Sequence, residues 1–245
     1  MKASPADQQQ LLRLQSIDTR LQQLAHRLRS LPQTADLQAL AERDAGVRGR
    51  RAEAVGALED ARAELGRIES DVEVVEKRIA RDGERLTHTS SMKDVAALES
   101  ELVSLRKRLA DLEDLELVVM QKVEDAEARV AAIDEERATI AAETARLEGE
   151  RDEAAGGLGV ERDGAERDRA AIAATIPDDL LAFYEQRRTR GAGVGAALLR
   201  QRTCSGCTIT LTGSDLDAVR RAAPDEVVQC PECDRILVRT DESGL

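Results

Sequence analysis

Large side chains are almost missing from this sequence, which has no tryptophan, one tyrosine and one phenylalanine in 245 residues. Aromatic rings supply much of the buried area of a globular core, so one compact, enzyme-like core is a poor fit. No apolar run approaches the length needed to cross a bilayer. The opening stretch "MKASPADQQQLLRLQ" lacks the apolar centre of a signal peptide, which makes a cytoplasmic location the expectation and gives no reason for membrane association. Positive charge is in deficit as well. A formal net charge of -12 argues against a chain that coats nucleic acid or lies on an anionic membrane through its overall charge. Cysteine is scarce, with four residues, and histidine scarcer, with two.

Charged residues make up 34% of the chain, the composition of long amphipathic helices. From Leu37 an apolar or small residue recurs at alternating steps of three and four through Val47, Ala54, Leu58, Ala61, Leu65, Ile68, Val72, Val75, Ile79 and Leu86. Asp44, Arg51 and Asp82 fill the remaining seam positions. The rhythm resumes at Val95, Leu98, Leu102, Leu105, Leu109 and Leu112, and runs on through Val119, Val123, Val130, Ile133, Ile140 and Leu147 to Leu158. A heptad sustained this long predicts a coiled coil.

Between the two runs lies "THTSSMKD", a hydroxyl-rich turn at about 87–94 in which Ser91 and Asp94 resemble a weak capping box. So short a connection makes the helices antiparallel neighbours. Pairing seam positions outward from the turn matches Leu86 with Val95, Ile79 with Leu102, Val72 with Leu109 and Leu58 with Val123, each pair of numbers summing to 180 or 181. That register sets Asp44 opposite Arg137 and predicts that they meet. At ~1.5 Å per residue the run from Leu37 to Leu86 spans roughly 75 Å. An antiparallel hairpin satisfies its own seam, so the pattern does not fix an oligomeric state.

Leu14, Ile17, Leu21, Leu24, Leu28 and Leu31 form an earlier heptad out of phase with the next, and Pro32 at the slip predicts a kink between Leu31 and Thr34. Four glycines in "GGLGVERDGAER", residues 156–167, predict a frayed or flexible stretch. A new helix is expected after Pro177, ended by "GAGVG" at 191–195, and "AALLRQR" reads as a strand leading to the first cysteine pair. The expected division is a coiled-coil hairpin over 1–176, followed by a linking helix and a small β-rich domain over 177–245.

The cysteines form two C-x-x-C pairs, Cys204 with Cys207 and Cys230 with Cys233. Each such turn sets two sulfurs on one side of a tight knuckle, and two knuckles supply the four thiolates of a tetrahedral zinc ion. "TITL", "DEVVQC" and "RILVRT" read as strands and "GSDLDAVRRA" as a short helix between them. Four protein ligands leave no open coordination position, which points to one structural zinc. His26 lies off the seam and His88 in the turn, and neither reads as a ligand. No phosphate loop, nucleophile elbow or dinucleotide fingerprint is present, so the expectation is a non-enzymatic protein.

Together, Cys204, Gly206, Cys207, "CPECDRIL" from Cys230 to Leu237, "IPDDLLAFYE" and the hairpin tip resemble a bacterial C4-type zinc-ribbon family with a long amino-terminal coiled-coil hairpin. At the tip that family's Lys-Glu-Tyr-x-Ala-Leu-x-x-Glu pattern appears as "KDVAALESE", retaining Lys93, Ala97, Leu98 and Glu101. Asp94 and Val95 replace the usual acidic and aromatic residues there, and Asp234 replaces a glycine after the last cysteine. The resemblance implies a mainly α fold, an antiparallel hairpin followed by a C4 zinc ribbon, in nucleic-acid-binding or adaptor proteins.

Arg187, Arg188, Arg190, Arg200 and Arg202 flank the glycine-rich link, with Glu185 the only acid from 183 to 202. They are candidate contacts for RNA or DNA phosphates, or else partners of the acidic coil. Phe183 and Tyr184 could stack on bases, but as the sole aromatics they read better as packing the coil against the ribbon. Lys93, Asp94 and Glu99 are candidate partner contacts at the tip. Three functional readings follow: an adaptor binding nucleic acid and a protein partner, a pure protein scaffold for a transcription or secretion component, and, least favoured, an RNA polymerase secondary-channel factor acting through Asp94 and Glu99.

Overall fold

The computed structural model describes residues 1–245, which form two compact units, Ala35–Glu148 and Met1–Thr34 with Gly149–Leu245. The first is the hairpin. Helix α2 spans Gln33–His88 and helix α3 spans Met92–Ala173, so the turn between them is shorter than the hydroxyl-rich stretch suggested. Helix α3 begins directly after Ser91, whose carbonyl accepts from Val95 N at 2.9 Å.

The buried side chains of this unit are those of the heptad. Val47, Ala54, Leu58, Ala61 and Ile68 of α2, and Leu98, Leu102, Leu112, Val119, Ile140 and Leu147 of α3, are all buried. One seam charge finds its partner in the register derived above, and a second reaches a residue about one turn away from its registered position. Arg137 donates through Nε to Asp44 Oδ1 at 3.3 Å, and Arg51 donates to Asp134 Oδ1 at 2.6 Å. Hydrogen bonding to Arg51 holds the Asp134 carboxyl below its ordinary range. Asp82 is buried, with Arg85 at 3.2 Å and Arg78 at 3.8 Å. Its partners come from its own helix, one turn away on either side.

In the second unit, helix α1 runs over Pro5–Arg29, opened by Ser4, whose hydroxyl accepts from Asp7 N at 3.1 Å. It stops before Pro32, and α2 starts at Gln33, so the phase slip is a three-residue break. Helix α3 does not fray at 156–167 but continues unbroken to Ala173, correcting the expectation from its glycines. Each glycine costs ~1 kcal/mol in propensity but keeps its backbone donor. Leu158 and Ala165 in this stretch are buried, and Arg20 to Glu161 at 3.4 Å joins it to α1.

Helix α4 spans Asp178–Arg190. After it come β1 (Ala196–Arg200), β2 (Thr203–Cys204), helix α5 (Gly213–Arg221), β3 (Val228–Gln229) and β4 (Ile236–Val238). The sheet order is β2-β1-β4-β3, with β1 parallel to β4 and the other pairs antiparallel. A shared core draws Leu11 and Leu14 from α1, Leu180 and Tyr184 from α4, and Ile236 and Val238 from β4. The boundary expected at 176/177 therefore falls inside this unit. The amino-terminal helix and the ribbon bury the same side chains, because neither has enough apolar area alone.

A polar network runs through that core. Tyr184 is fully buried and donates its hydroxyl to Asp18 Oδ2 at 2.6 Å. Asp18, 3% exposed, also accepts from Arg169 Nε at 2.6 Å, and Arg169 reaches Glu185 as well. Gln15 Oε1 accepts from Gly195 N at 2.7 Å, and its Nε2 donates to Gly193 O at 3.1 Å. A side chain at Gly195 would strike the Tyr184 ring at 2.9 Å, and Gly193 adopts φ +94° against Gln22. Those glycines let the chain leave α4 tightly against α1.

Charge reversal at Asp44 or Arg137 alone is expected to lower stability by ~0.5 kcal/mol, and the reciprocal exchange to restore it, as measured in urea. Asp18→Ala should cost ~3 kcal/mol, since it leaves Arg169 short of its buried partner, and Tyr184→Phe ~1 kcal/mol. Burial, then the bond to Asp18, pushes the Tyr184 phenol up. An unfolded phenol ionises near pH ~10, where the folded one stays protonated, so stability falls as pH rises through that value. The difference in stability between wild type and Tyr184→Phe should therefore shrink above pH ~10.

Candidate metal centre

The two knuckles are built alike. In the first, Thr208 N donates to Cys204 O at 2.8 Å, and in the second Asp234 N donates to Cys230 O at 2.9 Å. Both donors are left-handed, Thr208 at φ 60° and Asp234 at φ 59°. The position where the resembled family has glycine thus does require the conformation that glycine favours, and Asp adopts it at some cost. Thr208 is the more strained, being β-branched. Gln201 and Arg202, at φ 45° and 64°, make the two-residue turn between β1 and β2 that delivers Cys204 to the site.

Cys204 Sγ lies 3.9 Å from Cys233 Sγ, and Cys207 Sγ 3.8 Å from Cys230 Sγ. All four sulfurs lie within 4.8 Å of one another. A tetrahedron with arms of ~2.3 Å has edges of about 3.8 Å, so the cluster fits a zinc ion held by Cys204, Cys207, Cys230 and Cys233. Burial pushes the thiols of Cys204 and Cys230 up, the latter to about 12. Against its own burial Cys233 is held low, by hydrogen bonds from the Arg235 backbone and side chain among others. A divalent cation offsets the cost of four thiolates so close together. It would supply cross-linking, with every tetrahedral position taken by protein.

Arg235 frames the site. Its guanidinium donates to the carbonyls of Val194, Gly206 and Gly191 at 3.2, 3.2 and 3.0 Å, tying the first knuckle to the end of the α4 link. A Cβ at Gly206 would come within 2.7 Å of the Arg235 side chain. Arg239 donates to carbonyls at the carboxyl-terminal end of α5 and in the loop that follows, including Ala222 and Glu226 at 2.7 Å each. Sequence reasoning missed both arginines, along with Gln15 and Asp18. A charged residue at each end of the apolar "ILV" strand was the available signal.

The five candidate arginines do not form one free patch. Arg188 pairs with Glu185 at 2.7 Å and lies 3.6 Å from Asp18. Arg200 pairs with Glu242 at 3.1 Å, and Arg202 donates to Gly244 O at 3.1 Å. Arg187 stacks over Phe183, 4.8 Å from the ring centroid, with its Nε buried and unbonded. Arg190 is exposed without an acidic partner. Tyr184 is taken up wholly by packing and its hydrogen bonds. Lys93, Asp94 and Glu99 are exposed near the start of α3.

Cys230→Ser should reduce bound zinc from one per chain to near none by elemental analysis. Amide exchange should then rise across β1 to β4 and also in α1 and α4, which share the core, while residues 35–148 keep their protection. Thr208→Gly should stabilise the ribbon by ~1 kcal/mol through relief of the left-handed strain.

Residues 14–192 match the family described as a CT398-like coiled coil hairpin domain, and residues 203–237 match the C4-type zinc ribbon domain. Over 242 residues the chain is 35% identical to the Mycobacterium tuberculosis protein Rv2229c, covering 98% of each. A solved structure from Mycobacterium smegmatis superposes with a TM-score of 0.87 at 33% identity, over 98% of this chain and all of that one. CT398 from Chlamydia trachomatis superposes at 0.66 over 96% of this chain and 98% of its own. Its 20% identity makes that last likeness one of fold alone. Matched by the hairpin family over residues 14–192 and similar to these relatives over nearly its whole length, the chain belongs to the CT398-like coiled-coil hairpin family, and its carboxyl-terminal domain is a C4-type zinc ribbon.

Proposed function

We propose that this protein is a non-enzymatic cytoplasmic adaptor whose coiled coil offers a surface to a protein partner and whose zinc ribbon is a structural module. One observation carries this reading. The interior positions that usually do chemistry are already occupied, the four sulfurs by one another's geometry and the seam charges by ion pairs. What remains for function is the outer surface. The exposed Lys93, Asp94 and Glu99 are candidate contacts for that partner.

A second reading, contact with RNA or DNA, is favoured by one local feature. Arg187, stacked on Phe183 and lacking an acidic partner, is held in place for a phosphate or a base face. Arg190 stands three residues further along the same helix. Arg188, Arg200 and Arg202, engaged within the fold, contribute less.

Anisotropy titration of the full protein with a labelled single-stranded RNA and a duplex DNA, each at two salt concentrations, separates the readings. If nucleic acid is a ligand, Arg187→Glu with Arg190→Glu should abolish binding at low salt and leave the fold intact, while Arg200→Glu changes it little. Absence of binding by the wild type at low salt would eliminate this second reading and leave the protein adaptor.

A further inference from the structure

Helix α3 carries apolar side chains that its seam does not use. Of the eleven large apolar residues exposed in the chain, four fall within the six positions 115–120: Leu115, Leu117, Val118 and Met120. Leu117 and Val118 are 65% and 56% exposed, whereas Leu112 and Val119, which make the seam here, are 3% and 0%. Positions three, four and seven apart share a helix face. Leu117 therefore shares its face with Glu113, Asp114 and Glu124, and with Val103, 67% exposed, two heptads earlier. Asp111 stands at the matching position for Val118.

The acids around this stripe are free. Asp111, Glu113, Asp114 and Glu124 are exposed and engage in no ion pair or hydrogen bond. The acids of the following turns differ, since Glu127, Asp134 and Glu136 are each held by an arginine of α2. Residues 111–127 contain seven acids against a single lysine, Lys122, and that lysine is taken by Glu64 at 3.2 Å. At the other end Arg106, Lys107 and Arg108 are exposed and unpaired. The face is thus apolar along its middle, acidic over most of its length and basic at one end.

We propose that this face of α3 docks a cationic amphipathic helix of another protein, which rests on reading the coil as a partner-binding surface and specifies that partner's chemistry. Leucine-like residues on such a helix cover Leu117 and Val118, and its lysines or arginines meet Asp111, Glu113, Asp114 and Glu124. Arg106 and Lys107, eleven residues before Leu117 and Val118 and so on the same face, repel the cationic stretch and so set the direction in which the helix lies. A second copy of this chain is the poorer fit, because an antiparallel two-fold pairing about Leu117 sets Glu113 and Asp114 only diagonally against Glu124 of the other copy and leaves most of these acids without a cation. Nucleic acid carries the same sign as the face and is repelled by it.

The test uses the full zinc-bound protein and two labelled synthetic peptides of equal charge, one an amphipathic helix of leucine and lysine, the other with serine in place of leucine. The first should bind measurably by anisotropy and the second at least tenfold more weakly. Leu117→Ser with Val118→Ser should weaken the first peptide at least tenfold without changing helicity. Glu113→Gln with Asp114→Asn should weaken it and flatten its salt dependence. Equal binding of both peptides, or full binding by both variants, would overturn the proposal. So would sedimentation showing a dimer that Leu117→Ser with Val118→Ser dissolves, since the face would then belong to a second copy. A protein partner captured equally by wild type and the Leu117→Ser, Val118→Ser variant would overturn this surface and leave the adaptor reading standing.

Discussion

Four sulfur atoms held within 4.8 Å of one another are the constraint on which the carboxyl-terminal sheet depends. The strands they join are two to five residues long, too short to define a stable sheet by hydrogen bonding alone. Ligation replaces part of the missing core. It also explains tolerated strain at Thr208 and Asp234, because a metal bond worth many hydrogen bonds can hold a left-handed turn that the residue itself disfavours. Arg235 extends the constraint outward through three backbone carbonyls. The knuckle and the glycine-rich link therefore share one set of contacts.

The rest of that unit follows from the scarcity of large side chains. With one tyrosine available, the fold places it at the meeting point of α1, α4 and β1 and satisfies its hydroxyl with Asp18 and Gln15. The same Gln15 oxygen receives the backbone of Gly195. Loss of any one member leaves another buried polar group unpaired, so the network specifies a single docking of α1. The hairpin of residues 35–148 solves the problem differently. Its stability accumulates along a repeated seam, and ion pairs at Asp44 and Arg51 occupy seam positions where apolar residues are missing.

The hairpin and the knuckles were legible in the sequence for the same reason, since both are periodic or closely spaced patterns. Asp44 meets Arg137 as the constant sum of the paired positions required, and C-x-x-C spacing is a local geometric rule. The mainly α class with a β-rich C4 ribbon followed from those two patterns. What stayed hidden depends on contacts between residues far apart in the chain. Asp18 and Arg169 are separated by 151 positions and Gln15 and Gly195 by 180, and neither pair leaves a periodic trace. The glycines at 156–167 misled because propensity is a local quantity, while burial of Leu158 and Ala165 is not. The arginines near 187–202 read as one basic patch because two of the acids that engage them, Asp18 beside Arg188 and Glu242 against Arg200, lie at opposite ends of the chain.

The zinc site is closed by four protein sulfurs and serves the fold. X-ray absorption at the zinc edge of the purified protein tests it most directly. Four sulfur neighbours at ~2.3 Å and no nitrogen or oxygen neighbour are expected. A spectrum requiring an oxygen or nitrogen atom in place of one sulfur would contradict this, because such a site would keep a position open for water or substrate.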